Sequence, residues 1–162
     1  MTQNNTIDNV KVEIRKDYYK SGALKWVIPY KNGRRHGIEK SYYESGALMH
    51  ETPYVNGERH GIRKDYYKSG ALSWETPYVN GKIHGIEKSY YESGALWYET
   101  PYVDGEKHGI RKDYYKSGAL SWETPYVNGK IHGIERNYDE DKTNISCLTL
   151  HIKDREVDSI KI

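Results

Sequence analysis

The sequence predicts an all-β fold: an elongated single-layer antiparallel β-meander built from five 24-residue hairpin repeats and closed by terminal capping strands. Three observations predict it. The stretch RKDYYKSGALSWETPYVNGKIHGIE occurs twice without a change, at Arg63–Glu87 and at Arg111–Glu135. Gly22, Gly46, Gly70, Gly94 and Gly118 stand 24 residues apart, as do His36, His60, His84, His108 and His132, and a fixed period of this length marks a repeat architecture. Within each copy apolar and polar residues alternate between turn signals, and no segment is long enough for a helix.

The chain divides into a tail over 1–9, a repeat array over 10–138 and a C-terminal β cap over 139–162. Val10, Val12 and Ile14 alternate with Lys11, Glu13 and Arg15 and read as a half-buried first strand. Tyr18 and Tyr19 lead into a turn at Lys20-Ser21-Gly22. The next strand carries Leu24, Trp26, Ile28 and Tyr30 on one face and Lys25, Val27 and Pro29 on the other. It ends at Asn32-Gly33, a dipeptide that supplies the positive φ angles of a tight hairpin turn. Asn56-Gly57, Asn80-Gly81, Asp104-Gly105 and Asn128-Gly129 are its counterparts. Pro29, Pro53, Pro77, Pro101 and Pro125 recur at one position; proline cannot donate to a ladder, so a bulge or an unpaired gap is expected there. After Tyr138 the pattern fails. Leu148, Leu150 and Ile152 alternate, then Ile160 and Ile162 follow a charged turn, which reads as one or two of the capping strands a repeat stack requires. Ten to thirteen strands at ~4.8 Å each give a sheet roughly 50–60 Å long.

The charges follow a second period. Arg15, Arg63 and Arg111 alternate with Glu39, Glu87 and Glu135 at equivalent positions, so the duplication unit is 48 residues and a ladder of like charges is avoided. Leu, Ile, Val and Phe together fall below a fifth of the chain, and 17 Tyr and 4 Trp supply the missing apolar area. Amphipathic rings suit a thin structure without a deep core. A net charge of only +2 argues against both disorder and a nucleic-acid footprint. No run resembles a transmembrane helix, so membrane association is not expected, and Met1–Asn9 lacks the apolar stretch of a signal peptide. With Cys147 alone, no intrachain disulfide forms and a reducing, cytoplasmic setting is the default, or a secreted one if a signal was trimmed.

No catalytic, metal or cofactor site is expected. Zinc holds its donors about 2.0–2.1 Å away, and equivalent histidines two strands apart miss that by a wide margin. His-Gly is read instead as stabilising a turn. Glu51, Glu75, Glu99 and Glu123 repeat through the array, whereas a catalytic carboxylate is singular and sits in a cleft. No nucleophile–base pair, P-loop or dinucleotide motif is present.

The pattern YYxSGAL…ETPYVNGxxHGI, seen at Tyr66-Tyr67, Gly70, Asn80-Gly81-Lys82 and Gly85, resembles the bacterial variant of the MORN repeat over about three quarters of the chain. Such proteins include YwqK-type chains labelled antitoxins or immunity proteins. The resemblance therefore implies a protein partner, with a cognate toxin as the specific case. The 24-residue spacing, the Glu-Thr-Pro insertion and the C-terminal segment depart from the family pattern.

The copies differ where hairpin geometry leaves a choice. The position of Trp74 holds Trp26, His50, Tyr98 and Trp122 in the other copies, and the position before it holds Lys25, Met49, Ser73, Trp97 and Ser121 on the opposite face. Trp26, Trp74, Tyr98 and Trp122, with Trp97 for the other face, are the candidate partner-binding residues, because aromatics dominate interaction hot spots. Two function classes stay open: a non-enzymatic scaffold docking a protein through this stripe, and an aromatic ladder holding a glycan, choline or a lipid headgroup. A repeated pocket would favour the second.

Overall fold

The computed structural model describes residues 12–141 and 144–161; the expected tail over 1–9, Val10 of the first strand and Ile162 of the cap lie outside them. The first hairpin joins β1 (Val12–Tyr18) to β2 (Leu24–Lys31). Four units follow, each made of a two-residue, a six-residue and an eight-residue strand. They are β3 (Arg34–Arg35), β4 (Gly37–Tyr42) and β5 (Leu48–Val55); β6 (Glu58–Arg59), β7 (Gly61–Tyr66) and β8 (Leu72–Val79). They continue as β9 (Lys82–Ile83), β10 (Gly85–Tyr90) and β11 (Leu96–Val103); β12 (Glu106–Lys107), β13 (Gly109–Tyr114) and β14 (Leu120–Val127). The chain closes with β15 (Lys130–Ile131), β16 (Gly133–Tyr138), β17 (Ile145–Ile152) and β18 (Arg155–Lys161). Each long strand pairs antiparallel with the next, from β1 to β18, in one sheet with no crossover. The meander read from the period is the fold.

Both turns of each unit obey their local chemistry. Asn32, Asn56, Asn80, Asp104 and Asn128 take φ near +50°, followed by glycines that are also positive, as tight hairpin loops demand. At the other end Gly22 N donates to Tyr19 O and Tyr19 N to Ala23 O, a pattern repeated at every SGAL turn.

The two-residue strands arise from the proline. Tyr30 pairs with Arg35, but Val27 pairs with Lys40, so four residues of the return strand oppose Ile28 and Pro29. His36 N donates to Pro29 O inside this bulge, which places the proline's missing N–H toward the unpaired stretch, where its absence breaks no ladder bond. Gly37 (φ +104°) lies against the ring; a Cβ there would stand 3.1 Å from Pro29 Cγ, and the same Pro–Gly contact recurs in every unit.

Units are stitched at both edges. Gly57, Gly81, Gly105 and Gly129 N donate to Arg35, Arg59, Ile83 and Lys107 O of the preceding unit. At the opposite edge the second tyrosine of each pair reaches forward: Tyr19, Tyr43, Tyr67, Tyr91 and Tyr115 hydroxyls donate to the carbonyls of Tyr42, Tyr66, Tyr90, Tyr114 and Tyr138. The C-terminal cap copies this stitching without the sequence motif. Asp154 N donates to Ile131 O from a Lys153-Asp154 turn that is itself left-handed, so β17 and β18 form a sixth hairpin. All of β18 is exposed, and its charged residues blunt an open edge.

Candidate docking surface

The two faces of the sheet carry different rows of directly opposed residues. One face, here the tryptophan face, has a row reading Asp17, Trp26, Ser41, His50, Asp65, Trp74, Ser89, Tyr98, Asp113, Trp122, Asn137. A short polar residue thus separates successive rings. Where the spacer is Ser89, Trp74 and Tyr98 close over it edge to face with centroids 5.3 Å apart, and Ser89 is buried. Where the spacer is Asp65 or Asp113, the aspartate instead binds an arginine two residues earlier, Arg63 Nε to Asp65 Oδ2 at 2.8 Å and Arg111 Nε to Asp113 Oδ2 at 2.8 Å. Open cavities of about 400 and 370 Å³ remain beside Trp74 and Trp122.

The neighbouring row on this face pairs Glu39 with Thr52, Arg63 with Thr76, Glu87 with Thr100, Arg111 with Thr124 and Glu135 with Thr149. The 48-residue alternation of Arg and Glu is therefore a real row. It is not closed by direct Arg–Glu bridges between units, because Arg63 and Arg111 turn to their own aspartates while Thr76 Oγ1 donates to Glu87 at 3.3 Å. Strands two apart lie about 9–10 Å from each other, too far for such a bridge when a nearer partner exists.

The opposite face carries a ladder that periodicity alone left unread. Lys40, Glu51, Lys64, Glu75, Lys88, Glu99, Lys112, Glu123 and Arg136 oppose one another in unbroken alternation. Each repeated glutamate also accepts from a phenol of the next unit: Tyr66 to Glu51, Tyr90 to Glu75, Tyr114 to Glu99 and Tyr138 to Glu123, at 2.8–3.1 Å. Burial, with the adjoining carboxylates adding, pushes the phenols of Tyr66, Tyr90 and Tyr114 up to about 12. These glutamates hold units together. Beyond the ladder Ile14, Ile38, Ile62, Ile86 and Ile110 each oppose a proline and stay about half exposed.

The five candidate residues occupy distinct settings. Trp26 and Trp74 are half-buried in the aromatic row, Tyr98 is only 8% exposed beneath the Arg111 guanidinium (4.1 Å to its ring centroid), and Trp122 is 38% exposed. Trp97 is the most open, at 44%. Strict alternation places Trp97 opposite Tyr98, yet it sits at a register shift beside the Gly94 turn, where its ring comes within 5.4 Å of Tyr98 and 5.8 Å of Tyr91. The histidines do not converge. His36 and His84 Nδ1 accept from the Asn56 and Asp104 backbone, bracing the next unit's turn at 3.4 Å. Among the described residues no cluster of three His, Cys, Asp or Glu could hold a metal ion. Cys147 is half-buried, its Sγ 3.9 Å from Thr149 Oγ1.

The profile of the family described as MORN repeat variant matches four stretches, residues 35–56, 59–80, 83–104 and 107–128. Each begins just after one Asn-Gly turn and ends at or beside the next, so the profile marks the hairpin units seen in the fold; the first hairpin and the C-terminal one fall outside it. Among curated proteins none matches the chain.

Proposed function

The chain belongs to the family of MORN repeat variants, a repeat scaffold, and we propose that it is a non-enzymatic one that docks a protein partner on its tryptophan face. One observation carries the reading: the aromatic row is interrupted twice, at the Arg63–Asp65 and Arg111–Asp113 pairs, and at each interruption a tryptophan wall is left open to solvent. Packing alone would have closed both gaps as it closes the one over Ser89. Partly open aromatic walls flanked by arginine are the composition of an interaction hot spot. Trp74 and Trp122 are then the contact residues, Trp97 extends the contact around the SGAL edge, and Tyr98 backs the wall from within.

The specific case, a toxin held and neutralised by this face, follows from the YwqK-type resemblance, and a reducing compartment fits the single free thiol of Cys147. Co-expression with the product of the neighbouring gene tests it. The reading expects a complex that Trp74→Ala or Trp122→Ala weakens by about 2 kcal/mol or more while the fold survives. Variants that bind at full strength would reject it. A second reading, small-ligand sites for a glycan, choline or a lipid headgroup, draws on the equivalence of the two cavities, since Thr76, Tyr78 and Glu87 in one match Thr124, Tyr126 and Glu135 in the other.

A further inference from the structure

Glu39, Glu87 and Glu135 occupy equivalent places on the tryptophan face, but their surroundings are not equivalent. Glu39 has Arg35 Nη1 at 3.0 Å, four residues before it across the bulge. Glu135 has His151 Nε2 at 3.5 Å, an ion-pair partner only when the imidazole is protonated. At Glu87 the residue four before is Ile83, and the residue matching His50 of the Glu39 unit is Tyr98. Glu87 is 9% exposed; Thr76 donates to it at 3.3 Å, and Tyr102 stands close enough to feel its charge. Two neighbouring hydroxyls offset part of the desolvation of a buried carboxylate, but neither supplies a positive charge.

Glu87 also lines the larger of the two cavities on the tryptophan face, with Arg63, Asp65, Trp74, Thr76 and Tyr78. Arg63 holds Asp65 through two hydrogen bonds, so that pair is internally neutral and Glu87 is the charge left over among the lining residues, the next cation being Arg59, 5.2 Å from the Tyr78 ring centroid. An anionic ligand is disfavoured by that balance. A cation is favoured twice, by the carboxylate and by the indole of Trp74, while the Tyr78 ring already carries the Arg59 guanidinium. The carboxylate further selects a cation that carries N–H donors, because its hydroxyl partners are neutral and an N–H cation can both hydrogen-bond to it and neutralise it; a quaternary ammonium has no donor to offer.

We propose that the cavity at Glu87 receives a basic side chain, an arginine guanidinium or a lysine ammonium, from the docked partner. The planar arginine fork fits best, since it reaches a carboxylate with paired donors while stacking on an indole. Within the chain itself, Arg35 forms an ion pair with Glu39 at 3.0 Å; the partner supplies at Glu87 the cation that Ile83 does not. The inference deepens the docking reading and rests on it for the source of the cation.

The test uses the full chain labelled with ¹⁵N and follows the tryptophan indole N–H signals during titration with N-acetyl-arginine amide, with N-acetyl-lysine amide and, separately, with choline. The arginine probe is expected to shift the Trp74 signal saturably, with choline at least tenfold weaker. Glu87→Gln, which keeps the acceptor for Thr76 but removes the charge, is expected to weaken arginine binding at least tenfold. Ile83→Arg is expected to abolish it by seating the chain's own guanidinium on Glu87, and to leave the fold intact as Arg35 does at Glu39. Equal binding of arginine by wild type and Glu87→Gln, an undiminished response in Ile83→Arg, or choline binding as tightly as arginine would each overturn the proposal. The two readings fail separately. A partner complex indifferent to Glu87→Gln, with no response to the arginine probe, removes the basic-side-chain site and leaves docking standing. A saturable arginine response without any protein complex removes docking and leaves the site.

Discussion

Tyr66 and Tyr67 are neighbours in sequence with different tasks: Tyr66 bonds Glu51 of the preceding unit, and Tyr67 bonds the Tyr90 carbonyl of the following one. A Tyr-Tyr pair is visible in the sequence; that its members reach in opposite directions along the stack is not, because it depends on which strand lies beside each ring. The glutamate partner was legible only as a repeat, since cross-strand opposition to lysine follows from register. Burial and these carboxylates hold the phenols of Tyr66, Tyr90 and Tyr114 near 12 in the folded chain, above the ~10 of an unfolded tyrosine. Folding therefore favours the protonated phenol. That contribution is whole below pH ~10 and is lost as pH rises toward 12. Ultraviolet titration is expected to show these tyrosines ionising late and together with unfolding; ordinary ionisation near pH 10 in the folded protein would contradict it.

Among the elements the bulge is the sharpest meeting of sequence and structure. A recurring proline in a central strand announces an interruption, and its unpaired side is where the return strand carries two extra residues. The matching glycine could not be assigned to the bulge from sequence, where His-Gly reads as part of a turn. Gly109 has φ +112°, and a Cβ would meet Pro101 Cγ at 2.9 Å, whereas Gly118 (φ +89°) has open space around it. Gly109→Ala is expected to cost about 1–3 kcal/mol and to exceed the cost of Gly118→Ala, which bears only the backbone strain. Equal melting temperatures for the two would remove the Pro–Gly contact from the account. The Lys–Glu ladder offers a second test. Glu99 stands directly opposite both Lys88 and Lys112, and Tyr114 donates to it. Glu99→Lys is expected to lower stability by roughly 1 kcal/mol at low salt and less at high salt, since cross-strand like charges repel and salt screens them. No salt dependence would mean that the ladder contributes packing alone.

At the scale of the whole molecule, the described residues form one sheet without a second layer. Apolar burial is sparse: among the described residues only Ile28, Tyr54 and Tyr98 are buried hydrophobics, and the most enclosed side chains are Thr52, Ser89 and Thr100. Stability then comes from a repeated sum of cross-strand pairs, edge stitches and Tyr–Glu hydrogen bonds between neighbouring units, as in other quasi-one-dimensional arrays. The period, the turns and the poverty of large aliphatic residues made this architecture legible. The two cavities were not, because they depend on the side-chain pairing of Arg63 with Asp65 and of Arg111 with Asp113, which the sequence pattern does not show.

Small-angle scattering tests the open sheet most directly. Thirteen long strands at ~4.8 Å spacing give a length near 58 Å and a radius of gyration about 19 Å. A compact globule of this chain length would have a radius of gyration near 15 Å. A monomer at about 19 Å with an elongated distance distribution is the result predicted here; a monomer at about 15 Å with a symmetric distribution would contradict a sheet whose two faces both meet solvent.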